Sequence, residues 1–129
     1  MADFGGVMRL TINGQKIKIR GKFSIKPTNF SYAIENNQDG TKDRIATPDG
    51  PMAEVDFVDS QDGSAVSQPW DALMSLNGAA ITILEDTNGV IHQFSPARFT
   101  GKPDIDRFKG QVTGIQIHAD NGGYTQLTA

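Results

Sequence analysis

Apolar and polar residues alternate with a period of two along much of the chain, the spacing of strands buried on one face. Ala53, Val55 and Phe57 alternate with Glu54 and Asp56, and Ile81 and Ile83 flank Thr82. Between these segments lies the one convincing stretch of helical spacing, where Trp70, Leu73 and Met74 fall at i, i+3 and i+4. Ser67 stands where a hydroxyl can accept from an orphan backbone N–H. Pro69 falls in the first turn, where a missing donor costs little, and Asn77-Gly78 tolerates a left-handed stop. The pattern therefore predicts a helix over about 68–77. The run from Pro51 to Gly89 reads as strand, helix, strand, with the helix closing one edge or end of a β framework.

Taken from the start, residues 1–6 read as a loose arm with Gly5-Gly6 as a hinge. Val7 to Ile12 reads as a strand with Met8, Leu10 and Ile12 on one face, and Asn13-Gly14 as a hairpin turn. Gln15 to Lys26 carries the clearest alternation and is expected to be one long strand. Ile17, Ile19, Phe23 and Ile25 point one way; Lys16, Lys18, Arg20, Lys22 and Lys26 point the other. Gly21 interrupts the apolar row and marks a bulge or a close backbone approach. Asn29 to Glu35 reads as a further strand with Phe30, Tyr32 and Ile34 on a common face. Residues 36–51 have no apolar period and both signs of charge, and read as an extended polar loop. Beyond Asn88-Gly89, Val90 to Phe94 reads as a strand that Pro96 ends or confines to an edge. Gly101-Lys102-Pro103 reads as a turn, residues 107–119 as a last long strand with Ile115 and Ile117 on one side, and residues 120–129 as a polar, glycine-rich tail.

Composition sharpens this picture. At 129 residues the chain is expected to form a single domain, 1–129. Asx-Gly pairs recur at Asn13-Gly14, Asp39-Gly40, Asp49-Gly50, Asp62-Gly63, Asn88-Gly89 and Asn121-Gly122, a density that signals hairpins. The expected fold class is mainly β: an antiparallel β-sandwich or barrel with one short α-helix and a long polar loop. The absence of cysteine removes disulfides, thiolate nucleophiles and cysteine metal sites together. A net charge of −3 argues against tight nonspecific binding of nucleic acid by charge alone. No apolar run approaches the roughly 18 residues that span a bilayer, and MADFGG has no basic segment followed by an apolar one, so neither a membrane anchor nor a leader is expected.

Catalytic and metal-binding constellations are not found, and no cofactor is expected. His92 and His118 lie on different strands without a carboxylate at metal-ligand spacing and read as partly exposed strand histidines. Asp104-Ile105-Asp106 reads as a solvated turn rather than a hydrolytic pair. The basic row from Lys16 to Lys26 admits three readings: a solvated face, pairing with an acidic strand or subunit such as the face carrying Glu54 and Asp56, or contact with phosphate. No aromatic residues interleave with the row, which disfavours single-strand binding. The 36–51 stretch reads either as a surface hairpin or as an interaction arm that orders on a neighbouring copy. In the second reading Asn37, Asp39, Lys42, Asp43 and Arg44 supply polar contacts and Ile45 an apolar anchor.

The order of these features resembles the tail tube proteins of contractile-tailed phages, especially the Mu-like family. The likeness is carried by the glycine-containing arm, the strand ending at Asn13-Gly14, the long alternating strand and the polar loop running to Pro48–Pro51. It continues through Val58-Asp59-Ser60, the Trp-containing helix, and Ala80–Glu85 with its Asn88-Gly89 hairpin, and covers about Gly5 to Ala119. The resemblance implies a structural virion protein with no enzymatic activity, whose subunits form homohexameric rings that stack into a hollow tube conducting DNA. Residues 36–51 would be the stacking loop, with 1–6 and 120–129 as secondary contacts. Lys16, Lys18, Arg20, Lys22, Glu54 and Asp56 would line the lumen or pair between subunits. Implied partners are other copies of the chain, the sheath, the tape measure, baseplate and terminator proteins, and DNA in transit. The implied location is the virion, with assembly in the host cytoplasm. The alternatives are the tube of a tailocin or secretion device and a β-sandwich binding module, which would need exposed aromatics on one face.

Overall fold

A computed structural model describes residues 3–61 and 63–128. Met1 and Ala2 of the expected arm, Asp62 of the expected Asp62-Gly63 turn and Ala129 of the tail lie outside the described residues. The described residues form ten strands and one short helix. The strands are β1 (Met8–Ile12), β2 (Gln15–Ile17), β3 (Ile19–Lys26), β4 (Phe30–Asn36), β5 (Lys42–Pro48), β6 (Met52–Val58), β7 (Asn77–Glu85), β8 (Val90–Asp106), β9 (Gln111–Ala119) and β10 (Tyr124–Thr128). The helix α1 (Trp70–Met74) lies between β6 and β7. All pairings are antiparallel, and the main sheet runs β2-β1-β7-β8-β9-β6-β3, with β10 added beside β8.

The expected single strand from Gln15 to Lys26 divides at Lys18, and the division closes the sheet. β2 pairs with β1 at one end of the sheet, while β3 pairs with β6 at the other. Two successive segments of one strand thus join the sheet's ends into a barrel. The alternation survives the change of partner: Ile17 is buried, and Ile19, Phe23 and Ile25 pack against the same core. Gly21, at φ +82°, sits in the register shift between Ile19 and Phe23, the bulge that its place in the pattern predicts.

The core is the inward row of every barrel strand: Leu10, Ile12, Ile17, Val55, Phe57, Ile81, Ile83, Phe94, Val112 and Ile117 are all at least 98% buried. Trp70 and Leu73 from α1 pack against this core, with the Trp70 ring 5.6 Å from that of Phe57. Each large side chain so buried contributes about 2 kcal/mol, and these rows are what fix the register.

Several elements differ from their sequence reading. The helix is shorter than 68–77 because Ser67 does not cap it; its hydroxyl donates instead to Asp59 Oδ2 at 2.8 Å. Asn77 and Gly78 begin β7 rather than ending the helix, which stops at Ser75. β8 does not end at Pro96 but continues to Asp106, through the expected turn at Gly101-Lys102-Pro103. Pro96 is accommodated because it lies in the register shift between the Ile81↔Phe94 and Ala79↔Ala97 pairs, where a missing donor disrupts least. Gly101 and Gly114 face each other across β8 and β9, both at positive φ. A Cβ on Gly101 would lie 2.2 Å from the Gly114 carbonyl oxygen, so only glycine fits there. The expected strand 107–119 starts at Gln111, because residues 107–110 form a turn. The expected polar tail contains β10, held against the first part of β8 from Tyr124↔Phe94 to Thr128↔Val90.

Candidate assembly surfaces

The largest departure from expectation is the stretch 36–51. It is not a structureless loop: β5 occupies Lys42–Pro48 and pairs residue for residue with β4, from Phe30↔Pro48 to Asn36↔Lys42. The two strands form a separate hairpin, paired only with each other among the described residues. Every residue from Lys26 to Asp49 is exposed. Its root is held by the Asn29 carbonyl, which accepts from the Asp49 and Gly50 amides at 3.0 and 3.1 Å. Its tip is internally bonded: Asp39 Oδ1 accepts from the Thr41 amide and hydroxyl at 3.0 and 2.6 Å, and Asn37 Nδ2 donates to Asp43 Oδ2 at 3.1 Å. The Thr41 bonds hold the Asp39 carboxyl below its usual range. Of the residues expected to stack rings, Asn37 and Asp39 lie at this tip, and Lys42, Asp43, Arg44 and Ile45 on β5.

The cross-strand register sorts the arm into two faces. One carries Phe30, Tyr32 and Ile34, opposite Pro48, Ala46 and Arg44; these three large side chains are 41%, 55% and 57% exposed. The Arg44 guanidinium lies 4.3 Å from the Tyr32 ring centroid, over its face. The other face carries Ala33 opposite Ile45 and Glu35 opposite Asp43. Like charges directly opposite destabilise a strand pair, and no ion pair to either carboxylate is found among the described residues. A free two-stranded hairpin is marginal in water.

The second surface is the outer face of four consecutive strands, β3-β6-β9 and the second part of β8. It is polar and carries one ion pair among the described residues. Lys22 Nζ donates to Glu54 Oε2 at 2.7 Å, and this bond raises the lysine's pKa and lowers the glutamate's. Gln116 and Gln111 donate to Glu54 and Asp56, each at 3.4 Å. The structure therefore brings Lys22, Glu54 and Asp56 together on adjacent strands, while Lys16, Lys18 and Arg20 lie further along, exposed, toward the end where Arg20 Nη1 bonds the Lys109 carbonyl. Both margins of this ladder carry unpaired backbone among the described residues. β3 pairs only with β6, and β8 from Phe99 to Asp106 pairs only with β9.

Two buried polar clusters fix the parts around these surfaces. The Asp59 carboxylate, with no exposed side-chain surface, accepts from Trp70 Nε1 and Ser67 Oγ, both at 2.8 Å, and from Arg107 Nη1 at 3.0 Å. Burial pushes this carboxyl up, but the three donors outweigh it and hold it below the usual range. His92, expected to be partly exposed, is 95% buried, with Nε2 bonded to Glu85 and Nδ1 2.7 Å from the Tyr124 hydroxyl. The β7–β8 hairpin brings Glu85 to it, a pairing that sequence spacing alone does not display. Burial, helped by Glu85, raises the Tyr124 pKa. No group of three histidine or acidic side chains that could hold a metal ion occurs among the described residues.

A family model described as phage tail tube protein matches residues 1–122. A comparison with curated proteins finds no match. Among solved structures, the fold is similar to the sheath/tube terminator of the extracellular contractile injection system PVC, at 15% identity and a TM-score of 0.55, covering 99% of this chain and 100% of that one. It is also similar to the tube-terminating cap of the anti-feeding prophage, at 15% identity and a TM-score of 0.53, covering 100% and 95%. Hcp1 from Flavobacterium johnsoniae gives 14% identity and a TM-score of 0.51, covering 96% and 100%. At these identities the likeness to the three structures is one of fold.

Proposed function

Because the chain belongs to the phage tail tube family, we propose that its copies close into hexameric rings that stack into the hollow inner tube of a contractile tail, through which DNA leaves the virion. The tube role itself follows from the family; a structural role of this kind needs edges and docking surfaces rather than an active site.

The observation that carries the ring is the pair of unpaired margins on one ladder. β3 runs from Ile19 to Lys26 and the free part of β8 runs the opposite way, since three successive antiparallel pairings lead from one to the other. Joining the β8 margin of one copy to the β3 margin of the next continues the antiparallel alternation without a break. The contact is heterologous, head to tail, and it closes when the rotation divides the circle. In this ring the face with Lys22, Glu54 and Asp56 turns to the bore, where a lysine already paired with Glu54 and flanked by Asp56 offers passing phosphate little net attraction. Lys16, Lys18 and Arg20 lie near its end and meet acidic groups of a neighbouring copy. The arm reaches the adjacent ring, and the chain works as one domain with the segments 1–6 and 120–129 as secondary contacts. Sheath, tape measure, baseplate and terminator proteins bind the assembled tube in the virion, after assembly in the host cytoplasm. The tube of a tailocin or secretion device is the second reading, favoured by the fold shared with injection-system components.

Electron microscopy of the purified protein across protein and salt concentrations is the test. Hollow rods of uniform width are expected. A strictly monomeric species under every condition would overturn the proposal.

A further inference from the structure

The two ends of the β3-β6-β9-β8 ladder differ in a complementary way. At one end stand Lys26, Met52, His118 and Arg98, aligned by register, and from there the β4–β5 arm springs between β3 and β6. At the other end β8 returns into β9 through the turn at residues 107–110, beside Val58 and Arg20. This turn is rigid. The Asp106 carboxylate accepts from the Phe108 amide at 3.0 Å, the Gly110 amide donates to the Asp106 carbonyl at 2.7 Å, and the Gly110 carbonyl accepts from the Asp59 amide at 2.8 Å. Arg107 ties it to the neighbouring loop, donating to Asp59 and, at 2.9 Å, to the Ala65 carbonyl. Yet the turn holds Phe108 wholly in solvent. A fixed turn that presents a bare aromatic ring suits an anchor for another surface.

The charges at the two ends are matched as well. The turn end carries exposed Arg20 and Lys109, neither in an ion pair among the described residues, beside exposed Asp106 and an Arg107 already bonded to Asp59. The arm carries the uncompensated Glu35↔Asp43 pair, with Ile45 and Ala33 beside it on the same face. We infer that the turn 107–110 is the receptor for the arm of a second copy: Phe108 packs against Ile45 and Ala33, while Lys109 and the neighbouring Arg20 neutralise Glu35 and Asp43. The occupant is another copy because the apolar anchor and the opposite charge stand at opposite ends of the same subunit, the arrangement that repeats head to tail without limit. This contact presupposes the stacking of rings through the arm, and it adds the surface on which the arm lands.

Phe108 packs on nothing among the described residues of its own chain, so Phe108→Ala is expected to leave the melting temperature unchanged while raising the protein concentration needed for elongation at least about tenfold. Asp43→Lys and Lys109→Glu are each expected to block elongation, and the two together to restore it. A mixing experiment separates this contact from the stacking reading. A copy lacking the arm keeps the turn, and the Phe108→Ala copy keeps the arm, so below the raised threshold of the Phe108→Ala copy neither elongates alone, but together they form paired rings of doubled mass. If Phe108→Ala elongates like the parent while the armless copy does not, the receptor lies elsewhere and stacking through the arm stands. If the armless copy itself elongates, the stacking reading fails.

Discussion

Replacing residues 31–47 with an Asn-Gly turn is expected to give a folded subunit that closes into rings and does not elongate. Phe30 and Pro48 stand directly opposite each other, so a two-residue turn can join them in the existing register. The root remains intact through the Asn29 carbonyl and through Asn29 Oδ1, which accepts from the Gly122 amide at 2.8 Å. No buried side chain is removed, and the deleted strands exchange hydrogen bonds only with each other among the described residues. The thermal transition should therefore change little, whereas sedimentation should pass from a broad distribution of long polymers to one discrete ring species. Polymers of unchanged length would show that the arm is dispensable for stacking.

The largest expected effect on stability comes from Asp59→Ala, which should cost about 4 kcal/mol, because three hydrogen bonds to a charged group are lost and a buried donor is left unpaired. Three donors on three segments converge on this carboxylate: Ser67 in the loop after β6, Trp70 on α1 and Arg107 in the β8–β9 turn. Without it the Trp70 N–H is left buried and unpaired, α1 loses its anchor on the barrel, and the turn bearing Phe108 loosens. For a chain of this size the loss corresponds to a fall of roughly 15 °C in Tm. The pH dependence has a defined sign. The folded carboxyl titrates below its unfolded value near 3.8, so its contribution is complete above that value and disappears as pH falls through the lower folded value. The parent protein should thus lose stability in acid more steeply than the Asp59→Ala protein, and the gap between their transition temperatures should narrow. Parallel curves would remove the ionised carboxylate from the account.

The barrel was legible in the sequence wherever one face of a strand is buried. Ala53, Val55 and Phe57, then Ile81 and Ile83, alternate because every second residue enters the core, and the structure places each of them there. The arm was not legible for the same reason reversed. Neither face of β5 is buried within the subunit, so Lys42 to Pro48 carries no period, and a true strand reads as a loop. Phe30, Tyr32 and Ile34 alternate as a buried row would, yet among the described residues no element of their own chain covers them. A period without a cover in the monomer is the signature of an interface. The long strand from Gln15 kept its alternation through Lys18, so nothing in the pattern revealed the change of partner that closes the barrel. Phe108 is a single apolar residue among Arg107, Lys109 and Gly110, and only the geometry of the turn sets it apart from an ordinary polar connection.

Each copy lending the bare backbone of one margin to the next is the claim on which the tube reading depends, and a cryo-EM reconstruction of the rods tests it most directly. The account predicts that Ile19–Lys26 of one subunit is hydrogen-bonded to the segment 99–106 of its neighbour, continuing the sheet around the bore. Rods in which both segments face solvent, with subunits joined by side chains elsewhere, would contradict it.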